Sequence, residues 1–239
     1  PVILFDLDRT MMNTSALTVA FKVHFDEQYA ALGITTGRFD EWTRAYVLEI
    51  GSRTKFDPEN LIHYWAEQLT AAVGREKAPS HELLLERFVS FIQNNARLYL
   101  YKETLGVLGE LRDLGCTLCL FTQGVETWQK LKFAHAALAD YFDPDLQFVS
   151  EDKSSPAFLE TIRAVLEGRG CGEQEVWAVD DTLMILKNAK SHWPELTTIL
   201  VDRAEEQADA VTVSAVDAVI SNLNQVVEMV RDRREVATL

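Results

Sequence analysis

The chain is short of positive charge. Its 239 residues carry 23 Lys and Arg against 37 Asp and Glu, a formal net charge of −14. A general nucleic-acid or membrane-surface binder needs a positive field to attract phosphate, so neither partner is expected. Any anionic ligand then needs a locally positive pocket. Long apolar runs are also missing: none approaches the about 20 residues that span a bilayer. The start has neither a basic n-region nor a small-residue cleavage site, which makes a cytoplasmic location the expectation. Cysteine is scarce. Cys116, Cys119 and Cys171 are an odd number without a secretory signal, which argues against a disulfide framework. Cys116 and Cys119 form a nominal C-x-x-C, but within Cys116-Thr117-Leu118-Cys119-Leu120-Phe121, which reads as a buried strand. A redox thiol needs a helix start to lower its pKa. There is no internal repeat and no low-complexity tract. What remains is a globular composition with 47% hydrophobic residues, enough for a sizeable core.

The most informative stretch is Val2-Ile3-Leu4-Phe5-Asp6-Leu7-Asp8-Arg9-Thr10. Its large apolar residues suit a buried strand, and it ends in two carboxylates and a hydroxyl. Residues two apart on a strand point the same way, about 6.6 Å from each other, so Asp6 and Asp8 can present paired carboxylates. Taken alone, the pair reads equally well as a strand running into a turn.

Further along, the apolar spacing predicts four helices in succession, over 14–32, 39–50, 58–73 and 80–98. Asp57 and Ser80 are placed as N-caps, Pro58 at a first helical position and Gly33 as a stop. From Tyr101 onward, helices alternate with short apolar strands at 117–121, 146–149, 176–179, 198–201 and 218–220. That rhythm predicts a parallel sheet covered on both faces, joined by the N-terminal strand. The fold class is therefore α/β: a Rossmann-like core of residues 1–13 and 99–239, with an α-helical cap, 14–98, inserted into it.

Ligands of open parallel sheets bind beyond the carboxyl ends of the strands. Polar groups gather there: Asp6 and Asp8, then Thr122-Gln123-Gly124, then Lys153 in Ser150-Glu151-Asp152-Lys153, then Asp180-Asp181. Singly, each has an ordinary explanation. Asp181 reads as a helix cap, Thr122 as a partner for backbone and Lys153 as a solvated surface charge. Together, the acids repel one another unless a cation neutralises them, and Mg²⁺ is the usual partner where carboxylates meet phosphate. Thr122, Lys153 and the amides of Gln123 and Gly124 offer donors for a phosphoryl group.

These residues resemble the haloacid dehalogenase (HAD) superfamily. Asp6-Leu7-Asp8-Arg9-Thr10 matches its first motif, Asp-x-Asp-x-Thr; Thr122 matches the second. Lys153-Ser154-Ser155-Pro156 matches the third and Asp180-Asp181 the fourth, in the family's order. That order separates the chain from response-regulator receivers, whose acidic pair comes early and whose Lys comes last. The resemblance implies a phosphatase-like HAD hydrolase with a helical (C1-type) cap, acting on a small phosphorylated metabolite. It implies Asp6 as nucleophile, Asp8 as general acid and base, and Thr122 and Lys153 as phosphoryl-binding groups. It implies Mg²⁺ held by Asp6, the backbone carbonyl of Asp8, Asp180 and Asp181. Asp6 is expected to stay ionised, partly through Lys153, while Asp8 exchanges a proton. The family's dehalogenases lack the second acid and need no Mg²⁺, because halide leaves unprotonated. A phosphomutase or other phosphotransferase, or a non-catalytic binding protein on the same scaffold, are the alternatives.

Two positions depart from the usual pattern. Many relatives have an acid where this chain has Met184, and Asp181 is the expected substitute. Arg9 stands where Gly is common, and its side chain is expected to face solvent. The basic loop Gly51-Ser52-Arg53-Thr54-Lys55 is the candidate specificity element, with Arg53 as a substrate-binding residue; a merely solvated loop is the competing reading. Trp42, Tyr46, Tyr64 and Trp65 are expected in the core of the cap, which should close over the strand ends and exclude water.

Overall fold

The computed structural model describes residues 1–51, 56–203 and 214–237. Strands β1 (Val2–Phe5), β2 (Thr117–Gln123), β3 (Gln147–Ser150), β4 (Val176–Asp180), β5 (Thr197–Val201) and β6 (Ala218–Ile220) form one parallel sheet in the order β3-β2-β1-β4-β5-β6. The helices are α1 (Thr14–Tyr29), α2 (Arg38–Ile50), α3 (Pro58–Val73), α4 (His81–Asn95), α5 (Thr104–Asp113), α6 (Glu126–His135), α7 (Pro156–Gly168), α8 (Leu183–His192) and α9 (Asn224–Ala237). This is the α/β Rossmann-like architecture that the sequence predicts. The described residues fall into two compact units. One contains Pro1–Asn13, Leu100–Gln123 and the described residues from Leu138 onward; the other contains Thr14–Tyr99 and Gly124–Ala137. Helix α6 thus groups with the four helices of the insert.

In the first unit β1 is central, flanked by β2 and β4, with Phe5 level with Leu120 and Val179. All four of its residues are fully buried, which is why it reads as an unbroken apolar run. Successive side chains point to opposite faces. Val2 and Leu4 join Cys119, Phe121 and Ala178 in a core closed by Leu159, Ile162 and Leu166 of α7 and Leu186 and Ala189 of α8. Ile3 and Phe5 face the other way; α5 packs on β2 and α9 on α5. Each such side chain is worth roughly 1.5–3 kcal/mol of burial. The order reverses between β1 and β4, which makes their carboxyl ends the switch point where ligands of this architecture bind. Cys116 and Cys119 are buried, and burial pushes the Cys119 thiol up to about 12, the opposite of a redox centre.

The second unit is held by stacked aromatics. Trp65 lies fully buried among Phe21, Phe25 and Phe39, the Phe39 ring 4.7 Å away and edge-on. Trp42 and Tyr46 are also buried. The predicted caps are present: Asp57 accepts the Glu59 N–H at 2.9 Å, and Ser80 the Leu83 N–H at 3.2 Å. The first predicted helix is α-helical only through Tyr29; Ala30–Leu32 tighten into a 3₁₀ turn ended by Gly33 at φ 85°. Helix α2 follows Gly37 at φ 86°, which has no side chain to cap it. Buried Asp26 of α1 does so instead, accepting the N–H groups of Gly37 at 2.6 Å and Phe39 at 3.1 Å.

Asp26→Ala strands both donors in a mostly buried site and should destabilise the chain by about 1–3 kcal/mol, with Asp26→Asn losing less. Urea unfolding followed by tryptophan fluorescence measures both, and equal stability of wild type and Asp26→Ala would remove Asp26 from the cap role.

Candidate active site

Asp6, Asp8, Thr122, Lys153, Asp180 and Asp181 all lie on the first unit, at the carboxyl ends of its strands. Asp6 follows β1 directly, and its N–H donates to the Val179 carbonyl at 2.9 Å, which holds it beside the end of β4. Asp180 is the last residue of β4; its Oδ1 accepts the Thr182 N–H at 2.9 Å, bending the chain into α8. Both carboxylates are buried. Lys153, in the turn between β3 and α7, reaches across the sheet edge. Its Nζ lies 2.6 Å from Asp6 Oδ1, 2.5 Å from Asp180 Oδ2 and 3.4 Å from the Phe121 carbonyl oxygen. A loop lysine at 3% exposure is no solvated surface charge, and the bland reading of Lys153 is excluded.

The electrostatics follow from this crowding. Burial works against the charge of Lys153, but Asp180 and Asp6 outweigh it and hold the ammonium above its ordinary range. Burial, opposed by Lys153 and reinforced by Asp180, Asp8 and Asp181, pushes the Asp6 carboxyl up to about 8. Burial and the neighbouring Asp180 raise Asp181 as well, against Arg9, Thr182 and Lys153. Lys153 favours the Asp6 anion, as expected, but does not by itself offset the burial, so an ionised Asp6 calls for a further positive charge.

One oxygen each of Asp6, Asp180 and Asp181 lie within 4.8 Å of one another. An all-oxygen, carboxylate-rich donor set suits a hard divalent cation, and burial and the neighbouring acids raise Asp6 and Asp181 despite the positive charges of Lys153 and Arg9. The group fits Mg²⁺. The Asp8 carboxylate is not among the three converging groups. Met184, at the first turn of α8, is 59% exposed, whereas Asp181 supplies the third carboxylate.

Thr122, next to the end of β2, is fully buried, and neither its hydroxyl nor that of Thr10 has a hydrogen-bond partner among the described residues. A buried hydroxyl left open is a donor in waiting. Gln123 closes β2 opposite Ser150. Gly124 follows at φ 137°, a backbone conformation that strains any residue with a side chain. Arg53 lies outside the described residues.

Two arginines complete the site. Arg9 was expected in solvent. Its side chain is 59% exposed, yet its guanidinium sits 2.5 Å from Asp181 Oδ2. Arg203 escapes sequence reasoning altogether. It donates to the Thr10 carbonyl at 2.7 Å, pairs with Glu103 at 2.8 Å and stacks on the Tyr101 ring at 3.5 Å, bracing the loop that carries both acids.

The sequence matches the family model described as haloacid dehalogenase-like hydrolase over residues 1–192. Among curated protein sequences no match reaches significance. The fold is similar to a haloacid dehalogenase-like hydrolase from Burkholderia xenovorans, with a TM-score of 0.65, 23% identity and coverage of 95% of this chain and 97% of the other. It is similar to an HAD phosphatase from Thermococcus onnurineus, at 0.60 and 23%, covering 95% and 96%. It is also similar to an L-2-haloacid dehalogenase from Xanthobacter autotrophicus, at 0.57 and 18%, covering 96% and 98%. Identities this low speak to the fold, while the family match spans 192 of the 239 residues. The chain belongs to the haloacid dehalogenase-like hydrolases.

Proposed function

We propose that the protein is a Mg²⁺-dependent phosphatase that hydrolyses a small phosphorylated metabolite through an aspartyl-phosphate on Asp6. The observation that carries this reading is the convergence of Asp6, Asp180 and Asp181 within 4.8 Å, a cluster that wants a divalent cation. The second acid of the motif, Asp8, supports the same choice over a dehalogenase: an alkoxide leaving group needs a proton, and a halide does not.

In this mechanism Asp6, Asp180, Asp181 and the Asp8 carbonyl hold the cation, which when bound supplies positive charge to the phosphoryl oxygens. Lys153 holds Asp6 Oδ1, leaving the other oxygen to attack phosphorus. A bond forms from Asp6 to phosphorus and the ester P–O bond breaks, while Asp8 delivers its proton to the departing oxygen. Asp8, now a carboxylate, takes a proton from water as that water attacks the phosphorus of the aspartyl-phosphate. Phosphate leaves and both acids return to their starting states. The Thr122 hydroxyl and the Gln123 and Gly124 amides donate to the phosphoryl oxygens, so catalysis is mainly positioning and charge compensation. The helical segment of residues 14–98 is, on this reading, the cap that selects the substrate. A cytoplasmic setting suits this chemistry.

A panel of phosphate monoesters with Mg²⁺ should yield inorganic phosphate from at least one, and Asp6→Asn should lower kcat by about 10³-fold or more. Activity that survives Asp6→Asn, or halide release from a 2-haloacid without metal, overturns the reading; phosphate appearing on a second hydroxyl instead of in water makes the enzyme a mutase.

Stability carries a second test. Asp6 releases its proton near about 8 in the metal-free fold, against 3.8 for an ordinary carboxyl. The folded state then retains a proton that the unfolded chain gives up, so this contribution is complete below pH 3.8 and is lost as pH rises through about 8. Metal-free protein should therefore melt at lower temperature at pH 8 than at pH 5, with Asp6→Asn flattening the slope. Mg²⁺ competes with the proton, so its stabilisation should grow with pH, reaching about 2.7 kcal/mol at a hundredfold excess over Kd. Melting curves in EDTA and in Mg²⁺ measure both.

A further inference from the structure

Arg9 is out of place twice. Its backbone lies at φ 62°, a left-handed conformation that among the described non-glycine residues is shared only with Ala137. The turn leaves it no other choice: the Arg9 N–H donates to the Met12 carbonyl at 2.7 Å, while the Met11 and Met12 N–H groups converge on the Leu7 carbonyl at 3.1 and 2.9 Å. Glycine would relieve this strain, so the side chain that stands here instead needs a reason. That side chain ends 2.5 Å from Asp181 Oδ2.

Asp181 is one of the three carboxylates that fit a divalent cation, and both its oxygens are engaged. Oδ1 accepts the Thr182 hydroxyl at 3.1 Å, and Oδ2 carries the Arg9 guanidinium. The two basic groups of the cluster differ in how readily they can leave. Lys153 is 4% exposed and bonded to both Asp6 and Asp180, so moving it would strand two buried charges. The Arg9 side chain is 59% exposed, whereas Asp181 is only 10% exposed. Arg9 can swing into water and be rehydrated at once; Asp181 cannot, and it needs another cation in exchange.

Resting on the reading of Asp6, Asp180 and Asp181 as a divalent-cation site, we infer that Arg9 is a tethered competitor of that cation, occupying Asp181 until the ion displaces it. The metal-free fold is thereby spared an uncompensated acid, and the ion binds more weakly than the three carboxylates alone would hold it. Removing the guanidinium acts twice in the same direction, by freeing Oδ2 and by lifting a positive charge from the path of the ion. A partly exposed pair of this kind lowers apparent affinity about three- to tenfold.

The test is Mg²⁺ binding to the full chain without substrate, by isothermal titration calorimetry, on wild type, Arg9→Gln, Arg9→Gly, Arg9→Lys and Asp180→Asn. Arg9→Gln keeps the length and the backbone strain but loses the charge, and should tighten Mg²⁺ about three- to tenfold. Arg9→Gly should tighten it at least as much, and Arg9→Lys should stay nearer to wild type. Affinity unchanged or weaker in Arg9→Gln overturns the inference, including the case in which only Arg9→Gly gains, because the gain then comes from the backbone. Asp180→Asn separates this failure from that of the site itself. If Asp180→Asn binds Mg²⁺ as wild type does, or if no variant binds it, the three carboxylates are not the cation site and the inference falls with that reading. If Asp180→Asn loses binding while the Arg9 variants match wild type, the site stands and only the competition is refuted.

Discussion

The ammonium of Lys153, shared between Asp6 and Asp180, is the interaction on which the rest of the site depends. It joins the turn after β3 to the ends of β1 and β4, three segments far apart in the chain, at the one place where the sheet order reverses. Such a triad is a poor way to stabilise a protein. Well-packed apolar residues would often do as well, whereas deleting one charged member of a buried pair typically costs about 3–5 kcal/mol. Three ionisable groups kept nearly without solvent, beside a packed aliphatic and aromatic core, are therefore poorly accounted for by stability alone.

The same crowding divides the labour among the acids. Asp180 is spoken for, by Lys153 on one oxygen and by the Thr182 N–H on the other. Asp6 has one oxygen held and one open, the arrangement a nucleophile needs, but burial and three neighbouring carboxylates favour its protonated form. On the proposed phosphatase reading, a nucleophile whose protonated form is favoured until a cation arrives would not react before the site is assembled. On the divalent-cation reading, charge balance would couple metal binding to the ionisation of Asp6, and the buried open hydroxyls of Thr10 and Thr122 lie beside the strand ends where an anion would then be bound.

Much of this was legible in the sequence, for a physical reason. In a parallel sheet the polar residues that end buried apolar strands must gather at one edge, so Asp6, Thr122 and Asp180 could be placed together from strand positions alone. Helix starts were legible wherever the cap is local, as at Asp57 and Ser80. Where the partner is distant, the signal vanishes. The cap of α2 comes from Asp26 on the preceding helix, and the brace on the Thr10 carbonyl comes from Arg203, 193 residues away in the chain. Strand β2 runs two residues beyond its apolar stretch because Thr122 and Gln123 still pair with β3, a fact hydropathy does not register. Arg9 is exposed as its residue type predicts, but its pairing with Asp181 could not be read from exposure statistics.

The overall acidity also takes on a meaning that composition alone could not supply. A net charge of −14 repels an anionic substrate at long range and draws divalent cations, though both effects fade beyond about 8–10 Å at physiological ionic strength. On the phosphatase reading, affinity for a phosphoryl group would therefore be made locally, from Lys153, the Thr122 hydroxyl, backbone amides and a cation. With Arg9 moved off, the three carboxylates of Asp6, Asp180 and Asp181 against the one ammonium of Lys153 would leave two negative charges, which one divalent ion matches before the substrate adds its own charge. An enzyme built this way does not need a basic surface. It needs only enough positive charge at the strand ends to offset the phosphoryl group, and Arg9, once displaced from Asp181, would add one charge more at the mouth of the site.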